Sequence, residues 1–272
     1  MKLTLKKSNM KCIIFLLSIT ILLGCSNTNS VKNKIKNEQV EVGLFYHYSI
    51  WAAFVNTIYD GNLTAAELKN KGDIGLGSYN ALNGELVMLD GVLYEALGDG
   101  SVIEVEDDVK IAYTNATFFK EDQSLQFMGI GDYDALRAKL NEQLGSKNYF
   151  YAFKIHGTFQ TLKLGGVPKQ EKPYNQGLDV LIPDRPIFDR KNITGTMVGF
   201  YCPDYIGQIN VAGYHLHFVS DDKESAGHVM EFSNATQLSG GFMKINKYQF
   251  DLPTTPEFDS VDLKKSFQYD KK

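Results

Sequence analysis

The chain has 272 residues, 43% of them hydrophobic and 22% charged, with a formal net charge of −4. These fractions are ordinary for a globular protein, and the length supplies one large domain or two small ones with ample core. The acidic balance gives nucleic acid no electrostatic foothold, so nucleic-acid binding is not expected.

The first residues read as an export signal. Lys2, Lys6, Lys7 and Lys11 form a basic stretch without an acid, and Ile13 to Leu23 is an apolar run too short to span a bilayer comfortably. It ends in Leu22-Leu23-Gly24-Cys25, the pattern at which bacterial lipoprotein signals are cut and the cysteine acylated. Residues 1–24 are therefore expected to be a signal peptide and Cys25 the lipidated residue. Residues 25–39 are polar and free of aromatics, and are expected to be a flexible tether. The expected location is the periplasmic or extracellular face of a membrane, held by the lipid anchor alone. Removing the four signal lysines takes the charge from −4 to −8. Cys12 leaves with the signal and Cys25 is acylated, so Cys202 has no disulfide partner and stability must come from packing.

Val40 to Tyr48 alternates as a strand, and Ser49 stands where a helix to Ile58 would be capped. Thr64-x-x-Glu67 is a capping box for a second helix that Gly72 closes. Gly72-Asp73-Ile74-Gly75-Leu76-Gly77-Ser78 is expected to be a glycine-rich loop. Short strands follow over 84–89, 92–97 and 101–105, with Asp90-Gly91 and Asp99-Gly100 as hairpin turns. Residues 110–119 form another strand. Leu136, Leu140 and Leu144 mark an amphipathic helix over 132–144. A strand pair over 149–156 and 158–164 is expected to turn at Gly157. Four prolines between 168 and 186 mark an irregular connection, after which strands dominate: 195–201, 209–219, 228–232 and 241–250. The pattern predicts a two-domain α/β fold. A mixed β-sheet domain with helices over 40–164 would precede an antiparallel β domain over 165–272 that carries the metal site.

Three of the five histidines fall within fourteen residues. In the strand-like run Gly213-Tyr214-His215-Leu216-His217-Phe218, alternation puts both imidazoles on one face and Tyr214, Leu216 and Phe218 on the core face. The polar run 220–227 reads as a turn, after which His228 opens the returning strand. A hairpin can thus bring three neutral imidazoles to one point, which suits Zn²⁺ with a position left open. The remaining candidates carry less. His47 and His156 read as core or surface histidines, and Trp51 as an apolar helix residue. Cys202 has no histidine near it in sequence to support nucleophilic catalysis.

Four separated motifs carry a resemblance. They are Gly72 to Asn80, Leu82-Asn83-Gly84-Glu85, Gln170-Glu171-Lys172-Pro173-Tyr174, and Gly213 to Phe218 with His228 eleven residues after His217. In this order they resemble the α-acetolactate decarboxylases, over about residues 48 to 258. The resemblance implies a two-domain α/β fold and Zn²⁺ on His215, His217 and His228. It also implies a catalytic, proton-handling role for Glu85 and a substrate-binding hydroxyl at Ser78. The implied reaction converts acetolactate to acetoin and CO2. The implied partner is that small molecule; the membrane is expected only through the anchor at Cys25, and a homodimer is compatible with both.

The chain departs from the family twice. Gly165 stands where the family has an arginine, with Lys163 and Lys169 as nearby cations, and Asp270 is a poor match for a glutamate near the family's C-terminus. A guanidinium there would pair the substrate carboxylate, which glycine cannot do. Two other readings follow. One is a catalytically impaired homologue that binds zinc or a small hydroxy-keto acid, and the other a cupin-like metal oxygenase built on the strand His-x-His.

Overall fold

A computed structural model describes residues 41–264. The expected signal peptide, the tether and Cys25 lie outside the described residues, as does Asp270. Strands β1 (Leu44–Tyr48), β2 (Leu63–Thr64), β3 (Ile74–Tyr79), β4 (Glu85–Leu89), β5 (Val92–Ala96), β6 (Val102–Glu104) and β7 (Lys110–Thr117) belong to a first sheet. Strands β8 (Gln123–Asp132), β9 (Phe150–Gly165), β10 (Ile187–Cys202), β11 (Gly213–Ser220) and β12 (Ala226–Ile245) form a second, and β13 (Lys247–Asp251) returns to the first. Short helices α1 (Trp51–Val55), α2 (Ala65–Lys69), α4 (Leu178–Leu181) and α5 (Pro256–Ser260) punctuate the chain. Among the described residues the longest helix is α3 (Tyr133–Gln143).

The first sheet runs β13-β1-β7-β3-β4-β5-β6, with β2 also on β7 and only the β1–β13 pair parallel. The second is antiparallel in the order β11-β10-β9-β12-β8, and β11 also pairs with β12.

Side-chain alternation explains how the sheets meet. In the first sheet Phe45, Ile74, Leu76, Val87 and Leu89 share one apolar cluster with Ala152, Val198, Phe200 and Val219 of the second. Their sequence neighbours Tyr46, Leu86 and Met88 point to the opposite face, into a separate cluster with Leu68 of α2. In the second sheet Tyr151, Phe153, Met197, Leu216 and Phe218 turn the other way, toward Leu136 and Leu140 of α3. A period of two therefore gives each sheet two buried faces. At about 1.5–3 kcal/mol for each large apolar side chain buried, this inter-sheet layer is a major source of stability.

Several expectations are met in place. Thr64 Oγ1 accepts from the Glu67 N–H while the Glu67 carboxylate accepts from the Thr64 N–H, closing the capping box on α2. Asp132 caps α3 through the Ala135 N–H at 2.8 Å. The expected helix from Ser49 is shorter, because Ser49 itself takes a positive φ of 69° and α1 begins at Trp51 without a side-chain cap.

Other expectations are corrected. The glycine-rich stretch is the central strand β3, buried throughout. Its glycines exist for close approach: a Cβ on Gly77 would stand 2.1 Å from the Tyr113 carbonyl oxygen, and one on Gly75 2.6 Å from that of Asn115. Gly157 is no turn either, since β9 runs through it. It leaves room for Leu238, whose Cδ2 would lie 2.3 Å from an added Cβ. Strand β8 was not expected because, as an edge strand, it buries only Leu125 and Ile130. The boundary expected at 164/165 does not separate the sheets. Strands β8 and β9 precede it yet lie in the second sheet, β13 follows it yet pairs with β1, and the described residues fall in one compact unit. The physical reason is that the inner faces of the two sheets are complementary halves of one core.

Candidate metal centre

His215 and His217 alternate with Leu216 and Phe218 along β11, so both imidazoles face the first sheet. His228 is the cross-strand partner of His217 in β12. One ring nitrogen from each of the three lies within 4.8 Å of the other two, and ring centroids are 4.9 to 5.4 Å apart. The three residues anticipated from spacing alone are thus brought together by the β11–β12 hairpin.

The electronic state of these rings suits a metal. His217 is 1% exposed, and its Nδ1 donates to the Leu86 carbonyl oxygen at 2.8 Å. That bond fixes the tautomer and leaves the Nε2 lone pair facing the site, with no hydrogen-bond partner. Burial lowers the His217 pKa to about 4, with Arg185 adding to the effect and the Leu86 carbonyl opposing it. His228 is held well below the ordinary histidine value, first by burial and then by His215, His217 and Arg185. Neutral imidazoles with lone pairs turned inward are what a borderline-soft dication requires, so the donor set fits Zn²⁺.

Glu85 opens β4 in the first sheet and faces the second. Its Oε2 lies 3.6 Å from His217 Nε2. Burial raises its pKa to about 7, while Arg185 and the Val167 N–H donated to its carboxylate pull it down. Such a carboxyl group titrates near neutrality. Ser78 is the cross-strand neighbour of Glu85 on the same face. Its hydroxyl donates to the Gly84 carbonyl at 3.1 Å, which anchors the β3–β4 turn and leaves the oxygen lone pairs available.

These groups line one cavity of about 560 Å³, ordinary for a small-molecule site. Trp51, Phe54, Val167 and Leu178 form its apolar wall, so Trp51 belongs to the site and not merely to a helix face. The other histidines stay outside it. His47 is fully buried with Nδ1 2.6 Å from the Tyr248 hydroxyl, and exposed His156 meets Asp221 at 3.1 Å. Cys202 is a buried thiol in the inter-sheet core.

Two cations line the cavity, Arg137 and Arg185, and sequence reasoning singled out neither. Lys163 is paired with Glu231 at 2.9 Å, and Lys169 lies where it acts on Glu95; neither lines the cavity. The overlooked signal was Arg185 in the proline-rich connection, a charged residue between Ile182 and Ile187 that local periodicity gives no reason to select.

The chain was compared with known proteins. A family model described as alpha-acetolactate decarboxylase matches residues 45–265. The alpha-acetolactate decarboxylase of Brevibacillus brevis is 36% identical over 223 residues, covering 81% of this chain and 76% of that protein. Its counterpart from Methanosarcina mazei is 32% identical over 249 residues, covering 90% and 85%. The crystal structure of alpha-acetolactate decarboxylase from Bacillus subtilis strain 168 superposes with a TM-score of 0.78 at 31% identity, covering 82% of this chain and 94% of that one. A Staphylococcus aureus protein described as similar to alpha-acetolactate decarboxylase gives 0.77 at 27% identity, covering 80% and 94%. Family match, identity and fold agree over nearly all of the described residues, and the chain belongs to the alpha-acetolactate decarboxylase family.

Proposed function

We propose that this chain catalyses the zinc-dependent decarboxylation of acetolactate, 2-hydroxy-2-methyl-3-oxobutanoate, to acetoin and CO2. The observation that carries the reading is the convergence of three imidazoles with the buried Glu85 carboxyl in one cavity. Zn²⁺ on His215, His217 and His228 would draw electrons from the substrate's keto and hydroxyl oxygens.

The reaction breaks the bond between the carboxylate carbon and the carbinol carbon. Its electron pair moves into the neighbouring keto group as an enediolate, and one proton must then reach the carbon that lost CO2. Glu85 is placed to handle that proton, because a carboxyl that titrates at about 7 is partly protonated at neutral pH. Ser78 Oγ offers lone pairs to a substrate hydroxyl, since its own proton goes to Gly84. The apolar wall of Trp51, Phe54 and Val167 limits water around the developing charge.

Purified protein incubated with acetolactate should form acetoin, stop after chelation and recover on adding zinc. Acetoin formation no faster than the uncatalysed background in zinc-loaded protein would leave the binding-only reading in its place. The basic stretch and the Leu22-Leu23-Gly24-Cys25 pattern further support display of the enzyme on the outer side of a membrane through Cys25. Cell fractionation of wild type and Cys25→Ser tests this, and a soluble cytoplasmic wild type would contradict it.

A further inference from the structure

Decarboxylation needs the departing carboxylate held out of the plane of the keto group, so that the breaking bond overlaps the carbonyl π system. A fixed cation at the carboxylate end of the cavity would supply that hold. Position 165, where the resemblance implies an arginine, has no side chain. The space beside it is nevertheless filled. A Cβ built on Gly165 would stand 3.1 Å from Arg185 Nε and 2.6 Å from Met230 Sδ. Gly165 is the strand partner of His228, so the half-buried Arg185 side chain runs along the edge of the metal centre.

The backbone holds it there. Arg185 N–H bonds to the Ile182 carbonyl at 3.3 Å just after α4, and Gly166 N–H bonds to the Pro186 carbonyl at 3.4 Å. The proline-rich connection is thereby fastened to the end of β9. Arg185 acts electrostatically on Glu85, His217 and His228 together. The second arginine of the cavity is differently placed. Arg137 pairs with Asp134 and lies 5.3 Å over the Tyr133 ring, and its charge is felt by Tyr133 and Tyr214 rather than by the metal centre.

We propose that Arg185 supplies the guanidinium that receives the substrate carboxylate, reaching from the proline-rich connection into the place that a side chain at position 165 would fill. The proposal rests on the decarboxylase reading for its substrate, but its anion-binding part stands apart from turnover. Gly165 follows from it: glycine is the residue that lets the relocated guanidinium lie against β9. The impaired-enzyme reading then loses its main support, since the cation has moved and is not missing.

The test uses zinc-loaded protein in wild-type, Arg185→Met, Arg185→Lys, Gly165→Arg and Gly165→Arg/Arg185→Gly forms. Three quantities are read: bound zinc, acetoin formation, and affinity for 2,3-dihydroxy-2-methylbutanoate. That probe keeps the carboxylate but lacks the keto group needed to lose it. Arg185→Met should keep its zinc, bind the probe at least tenfold more weakly and lose on the order of 10²–10³ in kcat/KM. Arg185→Lys should fall between, since an ammonium keeps the charge but not the fork. Gly165→Arg alone should lose activity by crowding Arg185, whereas the double variant should bind the probe better than Arg185→Met. Unchanged probe affinity in a folded, zinc-loaded Arg185→Met, or in Arg185→Lys and Arg185→Met alike, would overturn the proposal. Should wild type form no acetoin, the decarboxylase reading fails while the probe affinities still decide the role of Arg185.

Discussion

His217 Nε2 and Glu85 Oε2 lie 3.6 Å apart, and they belong to different sheets. His217 is further tied to the first sheet by its bond to the Leu86 carbonyl. The three imidazoles come from one hairpin of the second sheet, but the first sheet supplies Glu85 and the carbonyl that orients His217, so metal binding should be linked to packing of the two sheets. Zinc at one hundred times its dissociation constant should stabilise the protein by about 2.7 kcal/mol. Thermal unfolding with zinc and with chelator checks this, and equal midpoints would contradict it.

The ligand assignment predicts about one zinc per chain. His217→Ala should lower zinc affinity by orders of magnitude, because two imidazoles leave the ion under-coordinated. Metal analysis of purified variants decides the matter. Full zinc content in His217→Ala would remove it from the ligand set.

Glu85→Gln separates proton handling from metal binding. The amide keeps the size of the side chain but cannot deliver a proton as the acid does. Zinc content should stay the same while acetoin formation falls by roughly 10²–10⁴. Activity within a few-fold of wild type would assign the proton to another group.

Glu95 makes a prediction about stability and pH. It is 4% exposed, accepts a hydrogen bond from Asn83 Nδ2 at 2.6 Å, and has its pKa raised to about 7 by burial, against a smaller opposing pull from Lys169. A pKa raised on folding gives stability that is fully present below the ordinary carboxylate value and lost as pH rises through about 7. Glu95→Gln keeps the acceptor and never ionises. It should match wild type near pH 4 and exceed it at pH 8 by roughly 1–3 kcal/mol. Denaturant unfolding at the two pH values measures the difference, and the same difference at both would contradict the assignment.

The glycines of β3 give a packing prediction. Gly77→Ala sets a methyl carbon against the Tyr113 carbonyl oxygen at 2.1 Å, whereas Gly145→Ala meets nothing within 4 Å. Gly77→Ala should cost about 3 kcal/mol and Gly145→Ala close to nothing. Equal unfolding midpoints for the two variants would contradict the close approach of β3 and β7.

The three-histidine cluster was legible in the sequence because strand alternation and a hairpin act over short range. A step of two residues from His215 to His217 along β11 puts both on one face, and the turn at 220–227 brings His228 opposite. Glu85 and Ser78 were reached only through the family resemblance, since nothing in their local spacing links them to the histidines 130 residues on. Arg185 was illegible because its position depends on how the 166–186 connection folds back onto β9, which no periodicity records. Glycine misled twice for one reason. Gly77 and Gly157 look like loop and turn residues, yet they sit in strands where a neighbour comes too close for a Cβ. The 164/165 boundary was read from chain order, whereas sheet membership of β8, β9 and β13 is set by long-range pairing.

The central claim is that acetoin formation runs through a metal held by His215, His217 and His228. The most direct measurement is a titration of zinc into metal-depleted protein, following bound zinc and the rate of acetoin formation from acetolactate in the same samples. The rate should rise in proportion to occupancy and level off at about one zinc per chain, with no rise in His217→Ala. A rate that is independent of zinc occupancy, or equal in His217→Ala, would contradict the account.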